Sequence, residues 1–428
     1  MSVVDVQQPS LLQLTDAPLD LATLGPAFNQ DPYPFYKEMR ETGPVREVVL
    51  FGLPMWLITR YEEAKQALAD PRIKHDRRHA TAEVRAKGPW LFATEQLGFD
   101  RYMLATDAPD HTRLRKMVSK VFTPRRVREL RPRIQEITDG LIGKFLPRGE
   151  ADLMEELAYP LPLAVISELL GVPQDEQSHL RDWAAAFSSV GAVAPEEIIR
   201  AFAVTRDYFA EFIQAKQREG LLVEDEHDTD LLTALIHLHD EGDQLDLNEL
   251  LAMVFQVLVA GFETTANMYG NGGLALLNHP EKMAELIADP SLLPGAIDEM
   301  IRYDAPVKNP WMRFSVEDVP IGGTVIPAGS VVAVNLAAAN RDPDRFPDPD
   351  IFDIHRADAS ANLGFSHGPH FCFGMPLAHA EGEIGFGTLL ARCENLALGV
   401  DPSELRYRPS PSMRILQRLP VTFTPRAA

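Results

Sequence analysis

The chain has 428 residues, and its 41 Lys and Arg against 62 Asp and Glu leave a formal charge of −21. That balance excludes a general nucleic-acid binder, whose contact surface must be basic, while 45% hydrophobic and 24% charged residues describe a globular protein with a large core and exclude disordered and fibrous classes. Two cysteines, Cys372 and Cys393, are too few for a disulfide framework or a tetrathiolate metal site. The longest unbroken apolar run, Leu250 to Phe255, falls far short of the roughly 20 residues a membrane span needs. Met1 to Leu14 shows no basic region followed by an apolar block, so the expectation is a cytoplasmic protein with no membrane partner.

Length alone would suggest about three domains, but no Pro/Gly/Ser-rich break divides the chain, so one unit over residues 1–428 is expected. In chain order, Val45 to Val49 and Met55 to Thr59 read as short strands. Between His111 and Arg133 stand nine Lys or Arg and one acid, Glu129, which is either a solvated helix face or a surface for something anionic. His111 and Arg115, four apart, share a helix face. Ile134, Ile137, Leu141, Ile142 and Phe145 form one apolar helix face, and Ile198, Phe202, Phe209 and Phe212 form another. Pro160 to Leu170 and Pro280 to Ala288 read as short helices. Glu224 to Glu249, with ten acids and no Lys or Arg, reads as an exposed loop with short helical pieces.

From about Asn248 to Leu277 a helical pattern is apolar on nearly every side, which places it inside a large protein. Within it, Ala260-Gly261-Phe262-Glu263-Thr264-Thr265 sets an acid and two hydroxyls where they are costly unless used. A helix start there is implausible, because apolar residues precede the segment for two turns. Gly261 permits close approach of a ligand, and a Thr hydroxyl can compete for backbone carbonyls and open the helix locally into a polar notch. Glu299 and Arg302 lie on one helix face. Met312 to Leu336 has strand character broken by Gly322-Gly323 and Pro327-Ala328-Gly329 turns. The expected fold is mainly α with minor β (α+β).

Cys393 reads as an inert core residue. Cys372 sits in Phe365-Ser366-His367-Gly368-Pro369-His370-Phe371-Cys372-Phe373-Gly374, with glycines before and after it and a helical pattern beginning at about Met375. Backbone N–H groups and the helix dipole would lower its thiol pKa, an environment for a nucleophilic or metal-bound sulfur. Zinc would need more ligands than lie nearby, whereas one thiolate suits an iron already held by a porphyrin.

This stretch resembles the F-x-x-G-x-[HR]-x-C-x-G loop of the cytochrome P450 superfamily of heme-thiolate monooxygenases at every fixed position. The resemblance implies the P450 fold, with a long central helix over the heme and small antiparallel sheets. It implies heme b (iron protoporphyrin IX) with Cys372 as axial iron ligand, and it points His370 at a heme propionate. Ala260 to Thr265 is similar to the family's A-G-x-[DE]-T-[TS] motif. That similarity gives Thr264 a hydrogen bond to bound dioxygen or its water network, and gives Glu263 the delivery of protons inward. Asp107 to Arg115 is similar to the D-x-P-x-H-x-x-x-R helix, making His111 and Arg115 propionate ligands, and Arg313 matches a further such position. Glu299 to Arg302 looks like the E-x-x-R pair, joined by Arg356, and is structural by that analogy.

The basic residues, among them Arg113, Lys116 and Arg126, would then dock an acidic electron carrier. By resemblance to soluble bacterial members, the partners are O2, a small apolar organic substrate, and ferredoxin with ferredoxin reductase, on a monomer. The implied reaction is hydroxylation or epoxidation of a secondary metabolite. Alternatives are oxidative aryl coupling, dehydration, peroxide use, or a non-catalytic heme carrier. Analogy also places substrate walls at Thr81 to Tyr102 (with Trp90 and Phe92), Val257, Ala260, Val307 to Trp311, and Ser412-Met413. Where many relatives have glycine, this chain has Ile415.

Overall fold

The computed structural model describes residues 11–12, 17–50, 52–87, 95, 101–173, 176, 180, 195–218, 230–240 and 245–426. Trp90, Phe92, most of the loop around them, the side chain of Ile198 and parts of the acidic run lie outside these residues. The molecule is organised around the helix Leu247–Leu277. A capping box starts it: Asp246 accepts from the Glu249 N–H, and Glu249 accepts from the Asp246 N–H. Its hydropathy of 1.4 over an 18-residue window would suffice for a membrane, but 78% of that window is buried inside the protein. The apolar residues face other helices instead: Pro160–Leu170, Pro195–Arg218, Leu293–Tyr303 and Met375–Arg392 all pack on it.

The helices at Pro160–Leu170 and Pro280–Ala288 begin and end where the sequence places them. Both carry proline in the first turn, where its missing N–H is no loss. Helix Pro124–Phe145 buries Ile134, Ile142 and Phe145, with Ile137 and Leu141 packed at the margin. The acidic run differs from expectation. Leu231–Asp240 is a helix, with Leu231, Leu232, Leu235 and Ile236 buried in the main core. Acids flank it at both ends, and their number masks the apolar stripe between them.

A six-stranded sheet stands apart from the helical core, in the order Leu19–Asp20, Val45–Leu50, Leu53–Ile58, Val331–Val334, Arg313–Ser315, Ile73–Lys74. Side chains alternate across it: Val331 and Ala333 enter one apolar cluster, Val332 and Val334 the other. The stretch Met312 to Leu336 resolves into Arg313–Ser315, Val319–Ile321, Thr324–Ile326 and Val331–Val334, and Leu336 already belongs to a short helix. Further strands that the sequence does not announce are Glu150–Asp152, Cys393–Leu398 and Pro420–Pro425 in one sheet, and the hairpin Tyr407–Arg408 with Ile415–Leu416.

Glu299 and Arg302 are wholly buried and doubly bonded, Nε to Oε2 at 2.6 Å and Nη2 to Oε1 at 2.8 Å. Arg356 joins the carboxylate at 3.3 Å, and the Asp353 N–H donates to it at 2.9 Å. Arg302 also donates to the carbonyls of Asn340, Pro349 and Ile351. The pair therefore ties a helix to the loop leading toward Cys372.

Candidate active site

The Cys372 loop is cinched by backbone bonds, Cys372 N–H to Phe365 O at 2.9 Å and Phe371 N–H to Gly368 O at 3.1 Å. Gly368 has φ +72, and a Cβ there would meet the Leu68 carbonyl at 2.9 Å, so only glycine lets the loop lie against helix Tyr61–Ala69. Cys372 is half-buried at the start of helix Met375–Arg392 and lines a cavity of about 360 Å³. The N–H groups of Gly374 and Met375, and Arg115, pull its thiol pKa down as expected. Burial is the larger influence and leaves the thiol above its ordinary value. A bound cation is what would turn that sulfur into a thiolate. Cys393 is buried, its thiol pushed up to about 11, and it stands away from this cavity in a strand.

Beside the sulfur lies a cluster of cationic and imidazole groups. Helix Asp110–Val121 presents His111 and Arg115 to the cavity, which His370 also lines. His370 is sandwiched between His75, with ring centroids 3.6 Å apart, and His111, at 4.0 Å. The strand register explains His75. Ile73 faces Ser315 and Lys74 faces Phe314, so one further step puts His75 opposite Arg313. There Arg313 donates its Nε hydrogen to His75 Nε2 at 3.0 Å, while His75 Nδ1 bonds the Leu104 carbonyl at 3.0 Å. A carbonyl only accepts, so Nδ1 carries the proton and the ring is neutral. Burial and Arg313 push the His75 pKa well down, and burial lowers Arg313 to about 10.

No carboxylate neutralises this cluster among the described residues. Asp107 attracts Arg313 and His111 through space, but its oxygens accept from the backbone N–H groups of His75 and Asp76. His111 Nε2 is buried without a partner, and Arg115 reaches only the Phe371 carbonyl at 2.6 Å. Buried positive charge without a partner is unfavourable unless an anion joins it, so these side chains fit a ligand bearing carboxylates.

On the opposite wall stand Glu263 and Thr264. Thr264 Oγ1 donates to the Ala260 carbonyl at 2.5 Å, one turn back. The helix nonetheless remains regular through this point, so the polar notch is made by side chains and not by an opened backbone ladder. Glu263 is buried and accepts from Arg408 Nη2 at 2.9 Å. Burial raises its carboxyl to about 7 even though Arg408 pulls it down. Gly261 lines the cavity too, and among the described residues the close approach it permits is that of Ile166. A Cβ at that position would stand 2.3 Å from the Ile166 side chain, so the glycine serves helix packing.

Val257, Ala260, Val307, Asn309, Pro310, Trp311, Ser412 and Met413 line the cavity as expected, and Lys308 does not. Arg313 adjoins the cluster through His75 without lining the cavity itself. Residues that sequence reading passed over are His75, Arg408, Gln256 and the buried acid Glu381. Only Gln256 and Glu381 carried a local signal, as lone polar residues inside apolar helical patterns.

A single cysteine sulfur, a cluster of arginines and imidazoles without an ion-paired carboxylate among the described residues, and an acid beside an alcohol, gathered at one largely apolar cavity, are what a thiolate-bound heme enzyme needs. The chain belongs to the cytochrome P450 family, whose model, described as Cytochrome P450, matches residues 20–416. It is 46% identical over 409 residues to cytochrome P450 monooxygenase PikC of Streptomyces venezuelae, covering 95% of this chain and 94% of that protein. It is 39% identical over 399 residues to the 6-deoxyerythronolide B hydroxylase of Saccharopolyspora erythraea, covering 92% and 96%. The solved structure of the tirandamycin C-bound P450 monooxygenase TamI superposes with a TM-score of 0.85 at 38% identity, covering 95% of this chain and all of that one. The protein is thus a P450 monooxygenase that binds heme b through a cysteine thiolate and acts on small organic substrates with O2 and redox partners.

Proposed function

We propose that this protein inserts one oxygen atom from O2 into an apolar secondary metabolite, foremost a macrolide-like polyketide, by hydroxylation or epoxidation. The names of its relatives support the substrate class, since they include a 6-deoxyerythronolide B hydroxylase and a polyketide biosynthesis P450. The observation that carries the reaction type is the adjacent pair Glu263 and Thr264 on the wall of an apolar cavity, a placement that packing alone does not explain.

In this reading Cys372 would hold the heme iron through its sulfur, and His111, Arg115, Arg313 and His370 would hold the heme carboxylates, with His75 fixing Arg313. Gly261 keeps the wall thin by seating Ile166. When bound, the heme supplies the centre at which O2 is bound and reduced. Glu263, ion-paired to the half-exposed Arg408, exchanges protons with solvent on one side and with the cavity on the other. Thr264 donates to Ala260 O, which leaves its lone pairs to accept a hydrogen bond from the cavity and steady a proton-bearing water. Electrons come from a ferredoxin and its reductase, docking on the basic face of helix Asp110–Val121, where Lys116 and Lys120 are exposed. The protein acts as a monomeric single unit in the cytoplasm.

Two measurements test this. Reduced protein under carbon monoxide should display the far-shifted Soret band of a thiolate-bound heme, and Cys372→Ser should lose it. With ferredoxin, reductase and ¹⁸O2, a polyketide macrolactone should gain one labelled oxygen; product without label would overturn the proposed reaction.

A further inference from the structure

Gln256 lies on the central helix eight residues before Thr264 and lines the same cavity. It is buried, and its Oε1 accepts from the Leu104 backbone N–H at 3.1 Å. That bond fixes which way the amide points. The Leu104 N–H can only donate, so the oxygen must face it and the Nε2 group must face away. Leu104 is itself held in place, because its carbonyl is bonded by His75 Nδ1 at 3.0 Å. Among the described residues Gln256 Nε2 has no hydrogen-bond partner. The same cavity is also lined by Met103, Phe255, Val257, Trp311 and Met312. A ligand that fills the cavity and brings an oxygen to this donor gains a hydrogen bond, whereas one that covers the donor without pairing it leaves it desolvated and unsatisfied.

We propose that Gln256 is a specificity-determining residue, donating from Nε2 to the carbonyl oxygen of a macrocyclic ketone or lactone. At 1.5 Å rise per residue, the step from Gln256 to Thr264 is about 12 Å along the helix axis. Allowing about 3 Å for the hydrogen bond, the oxidised carbon lies across the ring from the carbonyl, not next to it. This inference rests on the monooxygenase reading above and narrows its substrate class and regiochemistry.

The test compares cyclohexadecanone with cyclohexadecane, which share ring size and differ in the carbonyl. Binding to the holoprotein is read from the Soret shift and by calorimetry. Wild type should favour the ketone by about tenfold, the worth of one net hydrogen bond. Gln256→Leu should bind both rings alike, the ketone preference being lost. Gln256→Glu, assayed at pH 8, keeps the acceptor for the Leu104 N–H but removes the amide donor, and it too should lose the preference. A merely structural role in holding Leu104 predicts instead that the Glu variant keeps it. No preference in wild type, or a preference surviving in the Leu variant, overturns the proposal. Product mapping adds a second reading: wild type should oxidise carbons opposite the carbonyl, and Gln256→Leu should scatter the positions. If neither ring is oxidised while the ketone preference stands, the monooxygenase reading fails and the assignment of Gln256 as a carbonyl donor does not.

Discussion

Arg313 donates to His75 Nε2 at 3.0 Å, across the outermost strand pair of the six-stranded sheet. The contact orients a buried guanidinium toward the His370 cluster without neutralising it. His75→Gln can still accept from Arg313, whereas His75→Phe keeps only the stacking on His370. Heme transfer to apomyoglobin should therefore speed up by about tenfold in the Phe variant, the loss of one charge-assisted hydrogen bond, and stay near wild type in the Gln variant. Faster heme loss from the Gln variant, with the Phe variant near wild type, would assign His75 to stacking alone.

Glu263 makes stability depend on pH. Its folded pKa of about 7 stands above the ordinary 4.5, so the folded state favours the protonated carboxyl. Stability is fully present below the ordinary value and declines as pH rises through about 7, by about 3 kcal/mol in all. Glu263→Gln cannot ionise, so it should melt several degrees above wild type at pH 8 and close to it at pH 4.5. Thermal denaturation at the two pH values checks this.

Arg408 is the charged group that acts on Glu263. Arg408→Gln should push the carboxyl further up and move the window just described to higher pH, and Arg408→Lys should return part of the way. The protonated carboxyl stretch in infrared difference spectra, assigned by its loss in Glu263→Gln, gives the titration directly.

Thr264→Ala should leave the fold intact, since it removes only a bond to a carbonyl that the helix already uses. Product formed per NAD(P)H should fall severalfold, with peroxide making up the difference. Unchanged coupling would remove Thr264 from the proposed chemistry.

Glu299→Gln should destabilise by about 3–5 kcal/mol, because it strands Arg302 in the interior without its anion. Arg302→Lys should fare little better, since an ammonium cannot reproduce a fork that bonds both carboxylate oxygens and three carbonyls. Denaturant melts and heme content measure both.

The helices of this protein are legible because their information is local. Pro160–Leu170 and Pro280–Ala288 announce themselves by proline at the start and apolar period within. Cys393–Leu398 does not, because its neighbour Pro420–Pro425 supplies the pairing from far along the chain and its burial does not alternate, Cys393 and Leu396 being the buried residues across an irregularity in the register. The site divides the same way. Cys372, His370, Glu263 and Thr264 sit in compact motifs. His75 has no motif, and its position follows from the register of Ile73 with Ser315, which sequence alone does not reveal. Arg408 likewise reaches Glu263 through a hairpin with Ile415. The packing of Ile166 against Gly261 was hidden for a related reason, since a missing side chain does not say which neighbour fills the space.

Leu104 is held from both sides, its carbonyl by His75 and its N–H by Gln256. One residue thus bonds both a member of the imidazole cluster and a side chain of the cavity wall. Thermodynamic reciprocity then ties the two occupancies together: by whatever factor a ring seated under Gln256 changes the equilibrium affinity for the porphyrin, porphyrin loading changes the affinity for the ring by the same factor.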